Sequence, residues 1–352
     1  MARRLRPDQL QRALAADPPA GAYYVHGPEA LLRDEAVATL LDTILDPGLR
    51  DFNLDLLSAT QVEPDALAAA CSTLPMMADR RVVVLRDVEA WKRKTKAKQP
   101  ALQYLERPAP ETVLVLVQGD GNDPDADLAA RSVSVECATP IGDALDAWLD
   151  ARLAAVDVTL APDAREHLLR ATNGDLGLLH AECGKLAGLG GGAALDLATV
   201  GDLVGVRAGE TADDWRDAVL ADDLPRAMAT LPRVLEQSGV SGVKLVTLLG
   251  SSLLVLRWGR VTAEARKIRG ASLVDPVKKL CFGTRPSVGS YDPFARLVGE
   301  VVGRWSLARL DAAVRATLAA DVALKTTTVS GEQGILTDLV LALAASRTRK
   351  AA

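Results

Sequence analysis

The turn after the first β-rich run of the sequence has the position of a phosphate-binding loop but lacks its chemistry. A P-loop needs a glycine-rich turn whose amides hold phosphate, a lysine for the β- and γ-phosphates, and a Ser or Thr for Mg²⁺. Here the turn reads HGPEALLR from His26 to Arg33. Pro28 has no amide hydrogen, Glu29 adds negative charge, and neither lysine nor hydroxyl follows. We therefore expect this turn to bind no nucleotide cofactor.

The second half of a nucleotide hydrolase site is also missing. The apolar run Val82–Leu85 leads into Arg86 and Asp87, not into an Asp-Glu pair that could hold Mg²⁺ and polarise water. An active ATPase stays open as an alternative, although it would require the lysine that the sequence lacks. The residue types predict no catalytic residues.

The histidines and cysteines do not form a metal-binding pattern. None of the three histidines has the spacing of a metal ligand or stands beside a nucleophile motif. The four cysteines are scattered and contain no C-x-x-C pair, so we expect buried thiols and no metal site. These residues are His26, His167 and His180, and Cys71, Cys137, Cys183 and Cys281.

A run of basic residues follows Trp91, ahead of a helix that we expect to begin near Pro100. It places five positive side chains within seven residues, at Lys92, Arg93, Lys94, Lys96 and Lys98. Such a run is commonly a solvated loop, and the functional alternative is contact with DNA phosphates, which would depend on salt but not on base sequence. Because the net charge of the chain is -5, any contact with DNA would be local.

Five β-rich runs alternate with helical segments in the first 140 residues, which predicts an α/β domain with a parallel sheet. Two of the runs contain continuous apolar strings, as in strands covered by helices on both faces. The segment Glu29–Leu45 has apolar residues at helical spacing and is expected to be a crossover helix. The five runs are Tyr23–His26, Asn53–Ser58, Arg81–Arg86, Thr112–Val117 and Ser132–Cys137.

After Pro140 the sequence consists of amphipathic segments separated by glycine and proline, so we expect helices only. We place a boundary near Gly205–Gly209, and the predicted domains are residues 1–140, 141–208 and 209–352.

The start of the chain has no apolar core of a signal peptide, and we see no apolar run of membrane-spanning length. We therefore expect a cytoplasmic protein with no membrane contact.

Five motifs follow one another along the chain and together resemble one family. They are the opening Tyr23–Leu32, the segment Leu74–Leu85, Tyr104–Pro108 ahead of an apolar strand, the pair of segments within Asn173–Leu186, and Asp321–Lys325. In this order the motifs resemble the delta subunit of the bacterial DNA polymerase III clamp loader. That family is commonly classed with DNA-directed DNA polymerases as part of the holoenzyme, although the resemblance implies no intrinsic catalysis.

The resemblance implies an AAA+-like α/β domain with a RecA-like parallel sheet and no nucleotide site. It further implies an all-α small lid domain and an all-α C-terminal collar bundle that joins a five-subunit ring. The implied function is to bind and open the sliding clamp for loading on primed DNA, without hydrolysing ATP. The implied partners are the sliding clamp, the other clamp-loader subunits and primed DNA.

The resemblance also implies that the clamp is contacted through Leu74, Pro75, Met76 and Met77. The family often has an aromatic residue where Met77 stands. From the residues alone, Met76 and Met77 would more simply cap the domain core. A delta prime subunit should carry zinc-spacing cysteines and a Ser-Arg-Cys element, and neither appears in the sequence. An AAA+-like scaffold unrelated to replication stays open as an alternative.

The helical periodicity after Gly209 marks a set of apolar residues as candidates for either the core or a subunit interface. These are Trp215, Leu220, Leu248, Leu249, Leu253, Leu256, Leu310, Val314, Leu336, Leu339 and Leu343.

Overall fold

The computed structural model describes residues 3–93, 95–119, 123–172, 174–207, 209–237, 239–326 and 331–346, with the side chains of residues 92–96 left undescribed. The chain divides into two compact units, residues 1–139 and 140–352, called here the N-terminal unit and the helical unit. The first unit ends one residue before the predicted end of the α/β domain. The division of the helical unit at residue 208 stays a prediction.

The N-terminal unit is built on a six-stranded parallel sheet in the order β1-β6-β2-β5-β4-β3. Nearly every residue of the central strands β2, β5 and β4 is buried, which explains their continuous apolar runs. The short edge strand β1 was not predicted from the sequence. The strands are β1 Arg4–Leu5, β2 Ala22–His26, β3 Leu54–Ser58, β4 Arg81–Arg86, β5 Thr112–Val117 and β6 Val133–Glu136.

Six α-helices accompany this sheet within the described part of the N-terminal unit, and the predicted crossover helix is confirmed as α2. Tyr24 and Leu114 of the sheet share one buried cluster with Leu67 of α4 and Ala101 of α5, and Trp91 completes it. This cluster forms a core of the N-terminal unit. The helices are α1 Pro7–Ala16, α2 Ala30–Ile44, α3 Arg50–Asn53, α4 Pro64–Ser72, α5 Thr95–Glu106 and α6 Ala126–Arg131.

The predicted start of α5 near Pro100 was wrong, because the helix begins at Thr95 and contains Pro100. The first turns are held by tertiary contacts that a local pattern does not reveal. Ala97 packs against the core cluster, and Lys98 forms an ion pair with Asp125. Tertiary contacts therefore override the local preference for ending or starting a helix at proline.

The helical unit contains eleven α-helices in the part of the chain that is described. The first four are α7 Asp143–Ala155, α8 Pro162–Ala171, α9 Leu176–Leu186 and α10 Leu197–Val204. The others are α11 Ala212–Leu220, α12 Leu224–Leu235, α13 Gly242–Arg266, α14 Val274–Thr284, α15 Tyr291–Val301, α16 Leu307–Thr326 and α17 Glu332–Ala345. Three-residue 3-10 turns extend α9 and α15.

The longest helix, α13, runs antiparallel to α16 in the core of the helical unit. A Cβ at Gly250 would lie 3.4 Å from Thr317, and Arg257 Nε donates to Asp311 Oδ1 at 2.6 Å. Arg170 of α8 forms ion pairs with both Asp214 and Asp217 of α11. These contacts join the earlier and later helices within one unit.

By length and composition, α13 is apolar enough to cross a membrane, a feature that the sequence analysis did not recognise. More than half of its apolar window is buried within the helical unit. Leu245, Leu249 and Leu253 belong to the main core cluster of that unit. The helix therefore has the environment of a central helix in a bundle.

Candidate functional site

The turn after β2 is closed by contacts within the protein. Gly27 has a φ of +123°, and a Cβ there would lie 2.4 Å from the backbone oxygen of Cys137. The Cys137 N–H donates to the His26 carbonyl at 2.7 Å, and the Glu29 N–H donates to the Cys137 carbonyl at 3.1 Å. The Glu29 amide, which a phosphate-binding loop would direct at phosphate, is thus already bonded to a carbonyl of the protein.

Side chains reinforce the closed turn. The Arg33 guanidinium donates to the carbonyl of Gly27, so this positive charge is directed at the protein backbone. The Thr139 hydroxyl donates to Glu29 Oε1 at 2.6 Å, which fixes the carboxylate beside the turn. An anionic side chain and a proline therefore take the place of phosphate-binding groups.

A segment between α4 and β4 exposes large apolar side chains. The exposed fractions are 74% for Leu74, 51% for Met76 and 82% for Met77, while Pro75 is partly buried. The methionines therefore do not cap the core of the N-terminal unit. We call the stretch 74–77 the apolar segment, and it offers an accessible surface for a partner.

The apolar segment is held by a buried carboxamide. Asn53 is fully buried at the end of α3, and its Oδ1 accepts a hydrogen bond from the Met76 N–H at 2.7 Å. Its Nδ2 donates to the Met76 carbonyl at 2.9 Å and to the Leu49 carbonyl at 3.0 Å. Both backbone polar groups of Met76 are thus bound by one side chain.

Two further features define the conformation of this segment. Met77 has a φ of 54°, in the left-handed region that large side chains rarely adopt. Arg81, at the start of β4, forms an ion pair with Asp55 and donates to the Leu74 carbonyl at 3.4 Å. The segment is therefore fixed to Asn53 of α3 and to Arg81 of β4, while the side chains of Leu74, Met76 and Met77 are exposed.

Sequence reasoning missed two exposed apolar residues near Asn53. Phe52, its neighbour in α3, is 60% exposed, and Leu56 of the edge strand β3 is 68% exposed. Among the described strands, β3 pairs with β4 alone. Because Leu56 and Leu57 are both apolar, the strand lacks the alternation that would have marked Leu56 as exposed.

The structure locates one of the five basic side chains predicted to contact DNA. Lys98 is buried, and its Nζ lies 2.6 Å from Asp125 Oδ1 and 3.0 Å from Asp127 Oδ2. The hydrogen bond and the charge of Lys98 lower the pKa of Asp127. Lys98 is therefore an internal ion-pair partner. The side chains of Lys92, Arg93, Lys94 and Lys96 lie outside the described residues.

Burial shifts the pKa of several titratable groups of the N-terminal unit. The His26 ring Nε2 lies 2.7 Å from the Ser134 hydroxyl, and burial lowers the pKa of His26. Burial raises the pKa of the thiols of Cys71 and Cys137 to about 12. Across all the residues that the structure describes, no group of three or more His, Cys, Asp or Glu is placed to hold a metal ion.

Most of the helical-unit candidates for core or interface are core residues. Ten of the eleven are buried, and Val314 packs against the same cluster while partly buried. The accessible apolar surface on these helices comes instead from residues that the sequence analysis did not select. They are Leu254 and Val261 of α13, Leu318 and Val322 of α16, and Leu341 of α17.

Comparisons with known proteins relate the chain to one family. Residues 23–127 match the family model described as DNA polymerase III, delta subunit. A curated relative, DNA polymerase III subunit delta of Bacillus subtilis (strain 168), is 33% identical over 101 residues, 27% of this chain. The match spans 29% of the length of that relative. The resemblance predicted from the motifs is thus confirmed.

The solved structures extend the comparison to the fold. The DNA clamp loader delta protein of Bacillus subtilis matches 96% of this chain and 99% of its own chain, with a TM-score of 0.57 and 19% identity. This match confirms the predicted fold class. A DNA polymerase III, gamma subunit-related protein of Thermotoga maritima aligns with 97% of this chain and 100% of its own, with a TM-score of only 0.34 and 14% identity.

Proposed function

We propose, from the match of residues 23–127 to the DNA polymerase III delta subunit family model, that this chain is a clamp-loader subunit. It binds and opens the sliding clamp so that the clamp can be loaded on primed DNA. It works in the cytoplasm, as part of an assembly with the other loader subunits. It contributes binding energy and no catalysis of its own.

The observation that carries this proposal is the exposure of Leu74, Met76 and Met77 on a segment fixed by hydrogen bonds. Exposed apolar side chains that cluster on a defined backbone are typical of a binding site for another protein. Methionine is suited to such a site because its flexible, polarizable thioether fills irregular pockets. We expect Met76 and Met77 to be the anchors that enter an apolar pocket on the clamp.

Clamp opening needs no nucleotide hydrolysis by this chain. A partner that binds the open clamp more tightly than the closed clamp shifts the population toward the open state. The closed turn around Gly27, in which Glu29 and Pro28 replace phosphate-binding groups, supports a role without nucleotide binding. Other subunits of the loader would hydrolyse ATP.

The helical unit is proposed to hold the chain in the loader. Exposed apolar side chains on α13, α16 and α17 are available for contact with neighbouring subunits. The primed DNA is proposed to contact the basic run through Lys92, Arg93, Lys94 and Lys96. We leave Lys98 out of this contact, since its ammonium group is paired with Asp125 and Asp127.

The test of the proposed function is the set of proteins that bind this chain in its source cell. The intact chain is affinity-purified under mild conditions, and the co-purifying proteins are identified by mass spectrometry. The proposal predicts recovery of the sliding clamp together with the other loader subunits. Recovery of neither would favour the scaffold unrelated to replication.

A further inference from the structure

Asn53 is connected to the apolar segment in a way that a core asparagine does not require. A buried carboxamide needs partners, but it can find them on any neighbouring backbone. Asn53 instead binds both the N–H and the carbonyl of Met76, a residue 23 positions away, with bonds of 2.7 and 2.9 Å. The third bond, to Leu49, ties the same carboxamide to the start of α3.

The result is a rigid base beneath an exposed apolar tip. Met76 cannot rotate its peptide groups without breaking a bond to Asn53. The next residue, Met77, is 82% exposed and keeps a left-handed backbone, which persists for such a residue only where its surroundings impose it. The two hydrogen bonds from Asn53 to the preceding residue, Met76, restrain the backbone next to Met77.

We infer that Asn53 is a positioning residue, which holds Met76 and Met77 in the backbone conformation that binds the partner. This inference rests on the proposed function, in which the methionines enter a pocket on the sliding clamp. A segment that is already ordered loses little conformational entropy on binding, whereas a free segment must be ordered by the partner. The expected gain from one preordered residue is about tenfold in affinity.

The test compares clamp affinity in the full-length chain and its variants, with the purified sliding clamp of the source organism as the probe. Asn53→Ala removes both bonds to Met76, and we expect it to weaken clamp binding by about tenfold. Ser134→Ala is the matched control. Ser134 is also buried and hydrogen-bonded, but it lies in β6, and three strands stand between β6 and β3 in the sheet. The clamp affinity of Ser134→Ala should equal that of the unaltered chain.

A double-mutant cycle separates positioning from general destabilisation. If Asn53 acts through the methionines, adding Asn53→Ala to Met76→Ala/Met77→Ala should cause no further loss of affinity, because the anchors are already gone. Losses that simply add would overturn the inference. The inference would also be overturned if Asn53→Ala bound the clamp as tightly as the unaltered chain while Met76→Ala/Met77→Ala bound it more weakly. That result would not contradict the proposed function.

Amide hydrogen exchange provides a readout that does not need the clamp. The Met76 N–H should be protected in the unaltered chain and in Ser134→Ala, and exposed in Asn53→Ala. Equal protection in Asn53→Ala would overturn the inference. If the alanine variant does not fold, Asn53→Asp replaces it. This isosteric change keeps the acceptor for the Met76 N–H but removes the donor, so the amide should stay protected while clamp binding weakens.

Failure of the unaltered, folded chain to bind the clamp would overturn the proposed function and this inference together. That outcome differs from the failure of the inference alone, which requires a chain that binds the clamp but does not respond to the change at Asn53.

Discussion

The ammonium group of Lys98 lies 2.6 Å from both carboxylate oxygens of Asp125, so this lysine of the basic run is directed into the N-terminal unit. Asp125 also caps α6 by accepting hydrogen bonds from the amides of Asp127 and Leu128. The ion pair thus connects α5 to the first turn of α6. Lys98 and the other basic residues of the run are expected to have different roles.

We predict that replacing Lys92, Arg93, Lys94 and Lys96 with serine lowers the affinity of the assembled loader for primed DNA. DNA binding releases fewer counterions when a phosphate contact is lost. The slope of log affinity against log salt concentration should therefore become less steep by about 1 for each lost contact. The measurement is a DNA-binding titration at several salt concentrations. An unchanged slope would assign the run to a solvated surface.

Lys98→Ser is predicted to give the opposite result, a loss of stability with an unchanged salt slope. The change leaves the partly buried carboxylate of Asp125 without its cation. We expect a loss of about 1–3 kcal/mol in the free energy of unfolding, below the value for a fully buried pair because Asp127 is largely exposed. Denaturant unfolding measures this loss. A less steep salt dependence of DNA affinity, with an unchanged free energy of unfolding, would indicate that Lys98 contacts DNA.

We predict that the purified chain neither binds nor hydrolyses ATP. The amide of Glu29 is already bonded to the Cys137 carbonyl, and its carboxylate would repel phosphate. Calorimetric titration with Mg-ATP should show no binding heat, and phosphate release should not exceed that of buffer. A dissociation constant in the low micromolar range would contradict the closed turn.

Stability is predicted to fall on acidification through the titration of His26. Burial lowers the pKa of His26 from 6.5, so below that pH the unfolded chain takes up the proton before the folded chain does. The free energy of unfolding therefore decreases as the pH falls below about 6.5. Denaturant midpoints at about pH 7.5 and about pH 5.5 measure the change.

The matched variant for this effect is His26→Gln, which keeps a polar side chain beside Ser134. It should lose less stability than the unaltered chain between the two pH values, although the carboxylates of the chain still titrate. An identical decrease in both proteins would exclude His26 as a source of the pH dependence.

The parallel sheet could be predicted from the sequence because Val82–Leu85 and Val113–Val117 are continuous apolar strings of strand length. Strand β1, Arg4–Leu5, could not, because two residues are too few to show a period. Its position depends on pairing with β6, and that pairing joins segments far apart in the sequence.

The internal contacts of the candidate sites were not predictable for a similar reason. Lys98 looked like a member of a solvated run because its partner Asp125 is 27 residues away. Asn53 gave no signal at all, since a single asparagine before a strand does not show which backbone it will bind. The exposure of Met76 and Met77 also depends on tertiary packing, which the local pattern left undecided.

The most direct test of the proposed function is the affinity of Met76→Ala/Met77→Ala for the sliding clamp. Truncating the anchors of an interface typically costs about 2 kcal/mol or more, so binding should weaken at least about tenfold. Because both side chains are exposed, the melting temperature should change little. Leu178→Ala, at an exposed apolar residue of α9, is the control and should bind as the unaltered chain does. Unchanged clamp affinity in the folded methionine variant would contradict the account.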